Sequence, residues 1–223
     1  MNKRQALMQY YDERAPEYDE VYFGKGPGIP EPKSYGKDVK AITGICADFG
    51  HGHLVDIGCG TGFWLPYYIN NCKDVTLIDQ SQKMLVECQK RVKQLDTIAN
   101  IRFMKGDFFR LRFFMESFDA ALVAFFISHL SDEEGLFFNK LKRLLTPGAE
   151  ILWIDGSWSP IRKQYREREG IQTRKLRSGR EFQIFKKYYE ANDVKMLLKR
   201  YSFKLCSLYM GDVFFAARTE LSY

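Results

Sequence analysis

Asp56, Gly58, Gly60 and Gly62 alternate within Leu-Val-Asp-Ile-Gly-Cys-Gly-Thr-Gly-Phe-Trp, residues 54–64. Apolar and β-branched residues lead into the carboxylate, so the stretch reads as a buried strand that breaks into a tight turn and opens a helix. Glycines lack a Cβ, so main-chain amides here can approach a ligand closely and the turn can take angles that other residues resist. A nucleotide-like group resting on the turn is the expected occupant. A second carboxylate, Asp79, ends the next apolar run, Val75–Ile78. That is where a nucleotide-binding βαβ unit carries its ribose ligand.

The glycine spacing narrows the ligand. A dinucleotide fingerprint, Gly-x-Gly-x-x-Gly, needs its third glycine where this chain has Phe63. Asp56 beside the turn repels a pyrophosphate but suits a ligand ammonium, held directly or through water. A nicotinamide oxidoreductase is therefore disfavoured. Further along, Gly106-Asp107 closes the run Ile101–Met104. Its carboxylate suits an exocyclic amine, and the same pair serves equally as a turn cap. His129 follows the apolar run 117–126, and ligands of doubly wound sheets sit beyond the carboxyl ends of the strands. An imidazole there suits a general base, an orienting group, or a hydrogen bond to a neighbouring loop. His51 and His53 precede the glycine strand and fall on the far edge. The histidines and acids show no metal-ligand spacing, so no metal is expected.

The elements that position these residues follow from periodicity. Asn2–Tyr22 has helical composition interrupted at Pro16, residues 23–32 form a loop, and Lys33–Phe49 resumes a helical pattern. Phe63–Asn70 is the helix after the glycine turn, and Ser81–Leu95 is the next, with Ser81 at its N-cap. Ser131-Asp132-Glu133-Glu134 reads as a capping box opening a helix to about Leu145, which Thr146-Pro147-Gly148 stops. Glu150–Asp155 is the following strand. Arg174–Lys186 suggests a hairpin about Ser178-Gly179, Tyr188–Arg200 a helix, and residues 203–209 and 213–218 a closing hairpin. The expected fold class is α/β: a Rossmann-like, seven-stranded sheet, mostly parallel with a C-terminal antiparallel hairpin, and helices on both faces.

The 223 residues, 45% hydrophobic and 15% aromatic, suffice for one sizeable core. A single domain is expected, divided into an N-terminal helical cap (1–49), a core (50–156), an insertion over the substrate (157–188) and a closing helix and hairpin (189–223). No apolar run approaches the ~18 residues of a membrane span, and the polar start lacks a secretory core, so a soluble, cytoplasmic protein is expected. The five cysteines are odd in number and form no Cys-x-x-Cys pair, which argues for reduced core thiols. The net charge of +6 is uneven: residues 161–200 hold thirteen Lys or Arg against five acids. A solvated face, an anionic small substrate and an RNA backbone are the readings open to that segment.

The Asp-x-Gly-x-Gly-x-Gly stretch resembles motif I of the class I S-adenosylmethionine-dependent methyltransferases. Tyr11-x-x-Arg14-Ala15-x-x-Tyr18-Asp19 resembles the N-terminal cap of the ubiquinone and menaquinone biosynthesis type, where it covers the cofactor. The Leu-x-Pro-Gly turn at 145–148 follows the same pattern, with Ala149 in place of a commoner glycine. The resemblance implies methyl transfer from S-adenosylmethionine to a small-molecule acceptor, leaving S-adenosylhomocysteine. It implies that Asp56, Gly58, Cys59, Gly60 and Gly62 hold the methionine part, Asp79 the ribose, Gln80 the nucleoside edge, and Gly106, Asp107 and Phe108 the adenine. Tyr11, Arg14, Tyr18, His129, Asp155 and Trp158 would face the acceptor, with His129 and Tyr18 the catalytic candidates. The alternatives are a transfer RNA methyltransferase using the basic segment and a non-catalytic nucleotide-binding protein of the same fold; the protein is expected as a monomer or homodimer.

Overall fold

The computed structural model describes residues 3–25 and 32–222. Five parallel strands form its centre: β1 (His53–Ile57), β2 (Asp74–Asp79), β3 (Asn100–Lys105), β4 (Phe118–Ala124) and β5 (Leu145–Gly156). They lie in the order β3-β2-β1-β4-β5. A separate hairpin, β6 (Glu169–Lys175) and β7 (Glu181–Lys187), stands apart from this sheet. β9 (Phe214–Leu221) adds antiparallel to β5, and β8 (Phe203–Met210) forms the outer edge, giving seven strands. The α/β class and the closing antiparallel hairpin are as the sequence predicts.

The helices are α1 (Lys3–Arg14), α2 (Pro32–Ala47), α3 (Leu65–Tyr68), α4 (Gln82–Val92), α5 (Glu134–Leu144), α6 (Pro160–Lys163) and α7 (Ala191–Arg200). Successive strand residues point to opposite faces, so each face needs its own cover. Leu54, Leu77 and Leu122 pack with Ile42, Leu65, Tyr68 and Leu85 of α2, α3 and α4. Val55, Ile57 and Val123 face the other way, onto Phe137, Phe138 and Leu141 of α5 and Leu197 and Leu198 of α7. Two apolar layers clamp the sheet and fix where its carboxyl edge, and hence the site, must lie.

Beyond Arg14 the chain turns into a tight 3-10 segment, Ala15–Phe23, with Pro16 in its first turn. The predicted loop at 23–32 falls mostly outside the described residues. Ser81 caps α4 by accepting from Met84 N at 3.1 Å, as expected. The predicted capping box at Ser131 and Glu134 is wrong. α5 begins at Glu134, after Glu133, with no side-chain bond at that cap. Ile127, Ser128 and Leu130 are drawn into the interior, so this segment forms a wall of the site and the helix starts only after it. A reciprocal capping box stands instead at Glu190 and Asp193, opening α7. β5 also starts earlier than its predicted Glu150, because Leu145 already pairs with Phe118 ahead of a register irregularity.

Candidate active site

The glycine turn is built from the end of β2. Gly58 N and Cys59 N both donate to Ile78 O, at 2.8 and 2.9 Å. Asp79 accepts from Gly60 N at 2.9 Å through Oδ2 and from Ser81 N at 2.8 Å through Oδ1. Gly58, Gly60 and Gly62 have φ of 73, 55 and 72°, the left-handed region that disfavours side chains. Their surroundings differ. A Cβ at Gly60 would meet the Tyr18 ring at 3.7 Å, an ordinary contact across an open cradle. At Gly62 it would strike Cys88 Sγ at 2.7 Å, and at Gly58 the Phe126 ring at 2.9 Å. Gly60 thus leaves room for a ligand, whereas Gly62 serves helix packing.

Above the turn lies an open cleft with about 110 Å³ of enclosed space, lined among others by Gly58, Gly60, Asp79, Gln80, Gly106, Asp107 and Phe108. Burial pushes the Asp79 carboxyl up to about 6, against the Ser81 and Gly60 amides that lower it. Asp107 caps its own turn, accepting from Phe109 N at 3.0 Å through Oδ1, with Arg110 Nε 3.7 Å from Oδ2. The turn-cap reading of the Gly106-Asp107 pair is therefore present, and the pair also lines the cleft. Asp56 is buried behind the turn, where Tyr68 donates to Oδ2 at 2.7 Å while Oδ1 has no partner. Burial raises its carboxyl to about 7. The orphaned oxygen is buried and Asp56 does not itself line the cleft, so its chemistry suits a cationic amine reached through a bridging N–H or O–H donor.

The N-terminal segment roofs this cleft. Asp12 accepts from Ser81 Oγ at 2.5 Å at the head of α4, and Asp19 receives Thr61 Oγ1 and the Arg91 guanidinium. Tyr11 and Tyr18 are thereby held over the glycine turn and line a second cavity as well, of about 220 Å³. Phe125 and His129 complete the boundary shared by the two. Phe125 has φ of 53°, strained for an aromatic residue at the end of a strand.

His129 Nδ1 lies 2.9 Å from Phe185 O, and a carbonyl only accepts, so Nδ1 carries the proton. Nε2 then accepts from the Tyr11 hydroxyl at 2.7 Å. Burial, with Lys186, Arg174 and Arg14 nearby, holds the imidazole well below its ordinary value, so it is neutral at physiological pH.

Several expected site residues, Asp56 among them, line neither cleft. Cys59 is buried against Cys88 behind the turn, and the neighbouring thiol together with burial raises its own well above the ordinary range. Gly62 contacts α4. Asp155 is fully buried and satisfied by Lys186 Nζ at 3.1 Å, Ser128 N at 3.1 Å and Gly156 N at 2.7 Å. It supports Lys186, and Lys186 lines the second cavity in its place. Trp158 turns away to stack on Tyr188 at 6.3 Å. The residues missed are Phe125, Arg166, Arg174, Lys186 and Tyr188, all on the wall of the second cavity. The charge run over 161–200 was the only signal for Arg166, Arg174 and Lys186, and nothing in the sequence singled out Phe125 or Tyr188.

A family profile described as "Methyltransferase domain" matches residues 54–148. An uncharacterized protein of Methanocaldococcus jannaschii is 24% identical over 222 residues, covering 91% of this chain and 78% of its own length. A 2-phytyl-1,4-naphtoquinone methyltransferase of Synechococcus elongatus is 29% identical over 119 residues, and the match spans 51% of each. The chain thus spans only about half the length of that quinone-modifying relative. Among solved structures, the DhpI–SAM–HEP complex superposes with a TM-score of 0.77 at 22% identity, covering 97% of both chains. At that identity the superposition shows a shared fold. Motif, domain match and fold agree: residues 54–148 match a methyltransferase domain, and the whole chain shares the fold of the S-adenosylmethionine-bound structure.

Proposed function

We propose that this chain transfers a methyl group from S-adenosylmethionine, bound over the glycine turn, to a small-molecule acceptor held in the second cavity. One observation carries the reading: the two clefts meet at Tyr11, Tyr18, Phe125 and His129, which line both. When bound, the cofactor supplies a methyl group on a sulfonium sulfur, which keeps the C–S electron pair as the acceptor's lone pair forms the new bond. The protein's task is then alignment and exclusion of water.

In this reading Gly58 and Gly60 form the floor, Asp56 balances the ammonium end, and Asp79 and Gln80 take the ribose edge. Each Asp79 oxygen keeps a lone pair beyond its amide bond, which suits a hydroxyl donor. Gly106, Asp107 and Phe108 take the adenine. Tyr18 lies over Gly60 and shields the junction, and Arg14 sits against its ring at 5.2 Å. A proton released by the acceptor passes to the Tyr11 oxygen while Tyr11 hands its own to His129 Nε2. Transfer itself makes that proton strongly acidic, so a weakly basic imidazole suffices.

Monomer and homodimer are both compatible with this reading. Single-domain organisation and a cytoplasmic setting belong to the same reading; the five cysteines are free thiols, four of them buried. No helix among the described residues is long and apolar enough to cross a membrane. The test is calorimetric titration with S-adenosylmethionine, S-adenosylhomocysteine and NAD, with Asp79→Ala as control. Micromolar binding of the first two, lost in the variant, supports the reading. NAD binding without them overturns it, and cofactor binding with no turnover across a broad acceptor panel leaves a nucleotide-binding protein of this fold.

A further inference from the structure

The cavity beyond Tyr11 and Tyr18 carries uncompensated positive charge. Arg14, Arg162, Arg166 and Arg174 line it, and none has a carboxylate within ion-pair distance among the described residues. Their partners are neutral. Arg14 donates to the Tyr10 hydroxyl, Arg166 to Tyr165 O at 3.2 Å, and Arg174 to the Tyr188 hydroxyl at 3.0 Å and Gln172 Oε1 at 2.9 Å. Arg162 is buried, with donors engaged by Tyr35, Tyr165 and Val213 O, so it supplies field rather than contact. The two acids on the wall are occupied: Glu20 pairs with the Arg177 side chain and Glu17 accepts from Arg177 N. Lys186 has its own carboxylate in Asp155.

Guanidinium groups held together without an anion repel one another, and a concave, partly apolar wall concentrates their field. Two groups register it. The Arg166 guanidinium is lowered by burial and then by Arg174. Burial alone would raise the Tyr188 phenol, yet Arg174, Arg162, Lys186 and Arg166 bring it below its ordinary value.

The outward side of the same basic segment is different. Its arginines Arg168, Arg180 and Arg200, with Lys187, are each tied to a carboxylate, and only the scattered lysines Lys163, Lys195 and Lys199 are exposed there with no ion pair among the described residues. A nucleic-acid surface needs unpaired cations facing outward along a backbone track. Here the arginines without carboxylates face inward, into a cavity of small-molecule size.

Given the methyl-transfer reading, we propose that the acceptor is a small organic oxyanion, a carboxylate or a phosphate, gripped by Arg14, Arg166 and Arg174 so that its nucleophilic atom faces Tyr11 and Tyr18. Arginine forks suit either group, because both present coplanar pairs of oxygens.

The experiment is calorimetric titration of the protein with inorganic phosphate, acetate and neutral acetamide, each with and without saturating S-adenosylhomocysteine. Wild type, Arg166→Gln, Arg174→Gln and the surface control Lys195→Gln are compared. The expected result is binding of phosphate or acetate but not acetamide, weakened about tenfold or more in Arg166→Gln and Arg174→Gln and unchanged in Lys195→Gln. Phosphate much tighter than acetate identifies a phosphate acceptor, and comparable binding a carboxylate one. Retained S-adenosylhomocysteine affinity shows that the arginine variants are folded. If S-adenosylhomocysteine binds and neither anion does, or if all variants bind the anions alike, the oxyanion inference is overturned and the methyl-transfer reading stands. If the anions bind as expected but S-adenosylhomocysteine does not, the anion site stands and the cofactor reading falls. A short RNA that displaces phosphate, and that Lys195→Gln weakens as much as Arg174→Gln, overturns the inference in favour of a nucleic-acid surface.

Discussion

The Tyr11 hydroxyl donates to His129 Nε2 at 2.7 Å, joining the N-terminal cap to the carboxyl edge of the sheet where the two clefts meet. With Nδ1–H fixed on Phe185 O, the imidazole has one orientation and one tautomer. Tyr11→Phe leaves the ring in place but removes the relay and the tie between cap and sheet. Its kcat is expected to fall about tenfold to a hundredfold, with cofactor affinity nearly unchanged. Steady-state kinetics at saturating cofactor measure this, and an unaltered kcat would remove Tyr11 from the chemistry.

Because burial and the nearby Lys186, Arg174 and Arg14 hold His129 below its ordinary value, it stays neutral through the physiological range. At saturating cofactor, activity is therefore expected to show no histidine inflection between about pH 6 and pH 8. An inflection near the ordinary imidazole value that disappears in His129→Gln would contradict this.

Asp56 gives the opposite pH signature. Its carboxyl, raised to about 7 by burial, holds its proton longer in the folded chain than in the unfolded one. The stability it contributes is present below the ordinary aspartate value and is lost as pH rises through about 7. A cofactor ammonium favours the ionised form, so S-adenosylhomocysteine affinity is expected to rise about tenfold from pH 6 to pH 8. In Asp56→Asn both dependences should flatten. Titrations across pH in two buffers of different ionisation heat would also show the proton released on binding.

The three glycines of the turn should separate by experiment. Gly62→Ala drives a methyl toward Cys88 Sγ at 2.7 Å and is expected to destabilise by about 1–3 kcal/mol, partly recovered by Cys88→Ala. Gly60→Ala meets little in the protein and should lose cofactor affinity more than stability. Thermal unfolding and calorimetry on the same variants decide it, and equal loss of stability in both would refute the division.

What the sequence makes legible is local. Three alternating glycines after an apolar run allow few structures, so Asp56, Gly60 and Asp79 can be placed from spacing alone. Ser81 shows itself as an N-cap for the same reason. The acceptor wall is not local. That Arg174 and Lys175 reach the cavity wall depends on how the β6–β7 hairpin docks on α1 through Tyr10, Phe182 and Ile184. Asp155 looks exposed at a strand end until Lys186, 31 residues later, covers it. Trp158 follows the same strand, but its ring stacks on Tyr188, and it is Tyr188 that lines the cavity. The charge run announces a cationic feature without saying which of its members face one another.

The buried Lys186–Asp155 pair links fold to chemistry. Lys186 Nζ lies 3.1 Å from Asp155 Oδ1 and also donates to Ser128 Oγ, beneath the wall that carries His129. Removing one partner of a buried pair leaves an uncompensated charge, so Lys186→Met is expected to destabilise by about 3–5 kcal/mol. Lys186→Met with Asp155→Asn removes both charges and should recover part of that loss; the single amide oxygen can accept from Ser128 N or from Gly156 N, which use different carboxylate oxygens, but not from both. Lys186 is also the foremost charge depressing His129, so the double variant should show the His129 titration moved upward toward its ordinary value. Proton-detected titration of the imidazole and thermal unfolding test both halves. Recovered stability with His129 unmoved would mean that burial alone sets its charge state, and that the lysine serves the fold and not the acceptor side of the site.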